Sequence, residues 1–197
     1  MTTPRRVAFV PSAPLLLLDA GPPDLCAAIG AAVASLEGEV VVVGAAPRPG
    51  WWTGSVDLTP YGVPGLPARD PLPLALAVGS HLLGDRPHQL WGVPSGPLPE
   101  AEALLVVADG TARRTLKAPG HLDERAEAFD AAVVEALAAG SPERLAALDP
   151  ALAAELWVQG LPAWQEVATL PGPWAGAVTY ADAPYGVGYV VATWHRD

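Results

Sequence analysis

Apolar and polar positions change rhythm several times along this chain. Residues 5–11, RRVAFVP, are a short β-branched and aromatic run and predict a strand. Residues 22–39 follow a different beat. Leu25, Ile29, Val33 and Leu36 recur at helical spacing and mark one face, with prolines suited to the start and Gly38 to the close. Residues 39–47, EVVVVGAAP, are apolar without alternation, as a strand covered on both faces should be. Strand, helix and strand in that order make a βαβ unit with a right-handed crossover.

Residues 45–71 break the rhythm. AAPRPGWWTGSVDLTPYGVPGLPARDP is rich in Pro, Gly and Trp and predicts a long irregular loop, of the kind that covers something or lines a site. Residues 72–84 predict a helix ending at Gly84, 88–94 and 103–109 two strands, and 110–123 a loop. A helix follows over 124–140, with Phe129, Val133, Val134 and Leu137 on one face. Shorter helices are expected over 141–148, 149–160 and 161–170. Ser141-Pro142 and Asp149-Pro150 each set a capping side chain before a proline at the first helical position. Residues 174–194 predict two strands around DAPYG.

The order predicts one α/β domain over residues 1–197, with a mixed, mostly parallel central sheet and helices on both faces. Ligands of such sheets sit beyond the carboxyl ends of the strands. Three segments fall there: PSAP after the first strand, GAAPRPG after the second, and DGTARR after ALLVVAD.

Composition narrows the partners. The net charge is −10, 51% of residues are apolar and 16% charged. That is too hydrophobic for disorder, and too acidic for the basic footprint of a nucleic-acid binder. No apolar run reaches the roughly 18 residues of a membrane span. The amino-terminal stretch carries Pro4, Pro11 and Pro14 among strand-like residues, unlike a signal peptide. Cys26 is the sole cysteine and falls in an apolar helical pattern, so it reads as a buried structural residue. Sparse cysteine fits a reducing compartment, and a cytoplasmic location is expected.

Several segments, in order, resemble the B-subunit-like family of class III extradiol ring-cleavage dioxygenases, whose fold Memo-type proteins share. FVPSAPLLL is similar to the family's Pro-His-x-Pro followed by leucines. VVVVGAAP stands where Ser-Pro-His often follows the apolar strand, and VVADGTARR where a Gly-Asp-x-Ser-His segment is common. APGHLDERAEAFDAAVVEAL resembles the family's Ala-Pro-Gly-Tyr loop and the helix with Phe-Asp, and PYGVGYVVATW resembles its ending. The resemblance touches residues 5–194.

In that family two histidines and a glutamate bind a non-haem ferrous ion, leaving positions open for a catecholate and dioxygen. A further histidine moves a proton. The resemblance implies that this chain has lost the set. The first ligand position falls on Ser12, the second at or next to Ala46, the acid/base near Ala112, and the carboxylate around Val158 and Gln159. No cofactor is therefore expected, the family's Fe2+ being lost.

The residues themselves leave few other chemistries. His81, His88, His121 and His195 show no His-x-x-x-His spacing, and His121 is the one expected to face the cleft; Glu155 reads as a solvated helix residue that could rotate inward near the lost carboxylate position. Ser12 has no triad partners visible by spacing. The glycine-rich GVPGLP, GVPSGP and YGVGY lack phosphate-loop or dinucleotide patterns. Asp109, Thr111, Arg113 and Arg114 cluster after a strand. The arginines read either as an oxyanion-binding pair or as a surface turn with a salt bridge. Trp51 and Trp52 read as a lid, as a partner patch or as core packing.

The expected cleft set is thus Ser12, Ala46, Asp109, Thr111, Ala112, Arg113, Arg114, His121 and Gln159. The leading expectation is an iron-free member of this family that binds a small ligand or a protein. The alternatives are a metal-dependent oxygenase or hydrolase with displaced ligands, and a scaffolding subunit. The resemblance also implies a homodimer as one partner to expect, since the family frequently forms dimers, and the apolar carboxy-terminal strands offer a surface that could pair between chains.

Overall fold

Four buried strands set the architecture: β1 (Arg6–Val10), β2 (Val40–Ala45), β4 (His88–Val93) and β5 (Ala103–Val107). In the computed structural model, which describes residues 3–94 and 96–196, they run parallel in the order β4-β2-β5-β1. All three remaining strands are antiparallel to their neighbours. β3 (Gly50–Trp52) joins β4 at one edge, while β7 (Tyr189–His195) and β6 (Ala175–Asp182) extend the sheet beyond β1. The result is a single α/β domain with a seven-stranded mixed sheet.

Both faces of the sheet are covered, which explains why VVVVG and ALLVV are apolar without alternation. On one face lie α1 (Pro23–Ala34) and α2 (Leu74–Leu83), over Ala8, Val10, Val42, Leu105 and Val191. On the other lie α3 (Ala126–Ala138), α4 (Pro142–Ala146), α5 (Pro150–Glu155) and α6 (Leu161–Val167), over Val7, Phe9, Val41, Leu104 and Val106. Trp164 and Trp194 are fully buried there. Trp194 stacks edge-on to Phe9 and donates its indole N–H to Leu137 at 2.7 Å.

Capping follows the sequence signals. Ser141 accepts the Arg144 N–H at the start of α4, and Asp149 accepts those of Ala151 and Leu152 at the start of α5. The helix expected to run to residue 39 ends at Ala34, because the chain must turn back into β2.

Two expectations need correction. Residues 45–71 are not wholly irregular. They contain β3 and a 3-10 turn at Thr59–Tyr61. Trp51 stacks edge-on to Trp91 at 4.7 Å, and Trp52 donates to Arg48 O at 3.0 Å beneath the Arg48 guanidinium. The two tryptophans therefore build the short edge strand, and proline and glycine around it masked the signal. Cys26 is exposed, not buried, because Leu25 and Ile29 set the buried face of α1 and Cys26 falls beside it. Among the described residues no helix is long and apolar enough to cross a membrane.

Candidate functional site

The carboxyl ends of β1, β2 and β5 diverge into a small cavity of about 150 Å3. Ser12 enters it just past β1, Ala45 at the end of β2, and Val107, Ala108 and Asp109 at and after β5. Leu74 and Ala75 at the start of α2 form one side, and Gln159 and Gly160 before α6 close another. Gly160 is a packing requirement. A Cβ there would lie 2.7 Å from Asp109 O and 2.5 Å from Ala108 Cβ, so only glycine lets the turn rest on this strand end.

Asp109 dominates the electrostatics. Ser12 N–H donates to its Oδ1 at 2.7 Å. Burial pushes the carboxyl up to about 7, and the Ser12 N–H acts against that rise. Its charge reaches Tyr189 on β7, whose phenol is raised mainly by burial and next by Asp109. A carboxyl poised near neutrality in a small cavity of mixed polar and apolar lining can donate or accept a hydrogen bond, according to its protonation.

Thr111 and Arg114 brace the loop behind it. Thr111 is fully buried and donates its N–H and hydroxyl to Asp130 of α3 at 2.8 and 2.9 Å. Arg114 donates to the same carboxylate at 3.1 Å and pairs with Glu127 at 3.6 Å. Burial pushes Asp130 up, and the Thr111 and Arg114 bonds pull against it. Gly110 and Gly188 complete the brace. Gly110 N–H donates to Gly188 O, and a Cβ on either glycine would meet the Asp130 carboxyl at 2.5 Å or less.

The other expected residues stand apart from the cavity. Ala46 donates its N–H to Val93 O and faces Gly92. Ala112 N–H donates to Leu156 O, and its own carbonyl takes the Gly120 N–H. Arg113 donates to Glu155 O at 2.9 Å and to His121 O at 3.5 Å, so its head is tied to the carboxyl end of α5 and to a loop carbonyl. His121 is exposed, with a left-handed backbone (φ 61°). The structure thus brings Ser12, Asp109 and Gln159 together, and leaves Ala46, Thr111, Ala112, Arg113, Arg114 and His121 outside the lining.

The four histidines are dispersed. His81 meets Asp19 at 3.4 Å, His88 bonds Arg86 O and Ser80 Oγ, and His195 is exposed at the end of β7. Among the described residues no three His, Cys, Asp or Glu side chains gather as metal ligands would. No protein-family model matches the chain, and no curated protein matches it.

Sequence reasoning missed Asp130, the buried carboxylate that holds the loop. Its signal was present: an aspartate beside Phe129, on the otherwise apolar buried face of its helix. It also missed the cavity walls at Leu74, Ala75 and Gly160, which only tertiary packing brings to the strand ends.

Proposed function

We propose that this protein is an extradiol-dioxygenase-like protein of the B-subunit type that has abandoned iron chemistry and binds a compact small molecule in the Ser12–Asp109–Gln159 cavity. The observation that carries the reading is Asp109. Folding leaves its carboxyl in a cavity that raises it to about 7, held by one backbone N–H, and this is unfavourable for stability alone. Groups kept at such a disadvantage cluster at functional sites. The cavity lies beyond the carboxyl ends of parallel strands, where α/β sheets bind ligands. Its volume corresponds to about five water molecules at ~30 Å3 each. The ligand is therefore small, with apolar surface for Ala45, Leu74 and Val107 and polar groups for Asp109, Gln159 and the Ser12 hydroxyl. In this reading the protein is not an enzyme, works without a metal and resides in the cytoplasm.

Two titrations test it. Anaerobic ferrous ion added to metal-stripped protein gives no stoichiometric complex. A library of compact aromatic and aliphatic molecules, followed by amide NMR, yields ligands that shift Ser12, Asp109 and Gln159 and fail to bind Ala45→Leu, whose larger side chain fills the cavity. Stoichiometric iron that is lost in His121→Ala would overturn the reading in favour of displaced metal ligands. Ligands that bind Ala45→Leu as well as the native protein would remove the cavity from it.

A further inference from the structure

The opposite end of the sheet holds a second concentration of charged side chains, only two of which are tied into the fold. A crevice of about 640 Å3 opens there, lined by Thr3, Arg5, Arg6, Glu37, Glu102 and Arg196. That volume falls within the ordinary range of ligand pockets. Topology sorts its charges. Glu37 precedes β2, Glu102 precedes β5, Arg5 and Arg6 open β1, and Arg196 follows β7. Since the sheet runs β2-β5-β1-β7, the carboxylates stand on one side and the guanidinium groups on the other. Backbone bonds fix the boundary: Arg5 N–H donates to Glu102 O, and Arg196 N–H to Arg5 O.

Each wall has one anchored member. Arg196 donates to Pro171 O at 3.0 Å and lies 4.7 Å over the Trp174 ring. Glu102 Oε2 accepts the Glu39 N–H at 2.8 Å. The guanidinium groups of Arg5 and Arg6 and the carboxylate of Glu37 make no hydrogen bond or ion pair with any described residue. Opposite charges thus face one space without closing on each other.

We propose that this crevice binds a zwitterion of the amino-acid or short-peptide class, its carboxylate on Arg5 and Arg6 and its ammonium on Glu37 and Glu102. Guanidinium groups match a carboxylate with paired N–H donors. The chain's net charge of −10 repels a plain anion at long range, whereas a zwitterion brings no net charge to repel. The site lies at the other end of the strands from Asp109 and does not depend on the function proposed for that cavity.

Triglycine titrated calorimetrically into the intact protein is the test. N-acetyltriglycine and triglycine amide serve as controls that each lack one terminal charge, and inorganic phosphate as a plain anion. Saturable triglycine binding is expected, weaker by about tenfold for each capped peptide. Arg6→Ala and Glu37→Gln each weaken it to a similar extent, and Ala45→Leu leaves it unchanged. The exposed Glu37 side chain makes no hydrogen bond or ion pair with a described residue, so its variant still decides the matter if Arg6→Ala fails to fold. Equal binding of the capped peptides, phosphate binding tighter than triglycine, or no saturation by triglycine overturns the proposal.

Discussion

At the carboxyl ends of β1, β2 and β5, one carboxyl group shares about 150 Å3 with alanine, leucine and valine side chains, Ser12 and Gln159. At the amino ends of the same strands, five charged side chains share about 640 Å3 open to solvent. Charge is more expensive in the first setting than in the second, because Asp109 is partly shielded from water with one backbone N–H as its partner, whereas the crevice opens to solvent. The first end is also braced: Asp130 ties Thr111 and Arg114 to α3, directly behind Asp109. At the second end, anchoring is limited to single hydrogen bonds and one stacked ring. Hydrogen bonds therefore hold the loop at the small cavity, whereas the charges at the large crevice contribute little to the fold.

The largest blow to that contrast would come from Asp130→Ala. The substitution leaves Thr111 without its acceptor and Arg114 without its buried partner. A buried donor left unsatisfied costs about 1–3 kcal/mol, and Thr111 loses the acceptor of both its N–H and its hydroxyl. Urea denaturation reads the loss directly. At the opposite end Glu37→Gln shifts stability by less than about 0.5 kcal/mol, as an exposed, uncontacted position should. Comparable losses at both ends would abolish the distinction.

Asp109→Asn sharpens the contrast by reversing its sign. A carboxyl raised from near 4 to about 7 binds its proton more tightly in the folded than in the unfolded chain. Its stabilising contribution is complete below about pH 4 and is lost as pH rises through about 7. The asparagine variant lacks that arm while keeping an oxygen for the Ser12 N–H. It is therefore more stable than the native protein at pH 8, by at most about 4 kcal/mol. Denaturation midpoints measured from pH 4 to pH 8 check this. A native profile that coincides with the variant's would show that the carboxyl is not under strain.

How much of this was legible from the residues differs along the chain. Continuous apolar runs such as VVVVG and ALLVV announce buried parallel strands, and Ser-Pro and Asp-Pro announce helix starts; all of these are local physics, and all are present in the structure. β3 was hidden because a three-residue edge strand between proline and glycine has no alternation to display. Cys26 misled because a helix rich in alanine blurs where its buried face ends. At the site, Ser12 and Asp109 were legible because both directly follow strands. Gly160 and Asp130 were not, since one matters through a close approach to Asp109 and the other through a helix that folds back from residues downstream.

The smallest effect asks how much the charged end owes to its one stacked arginine. Arg196→Ala removes the bond to Pro171 O and the guanidinium over Trp174, worth together about 1 kcal/mol at this partly exposed position. Arg196→Lys keeps the charge but not the planar face, so it recovers only part of the loss if stacking matters. Thermal denaturation of the two variants separates these contributions. Full recovery by lysine would mean that the wall is held by charge alone, and Arg196 would then be no more preorganised than Arg5 or Arg6. Incomplete recovery would leave one rigid guanidinium beside two unpaired ones, so that a carboxylate arriving at the crevice meets a wall already partly in place.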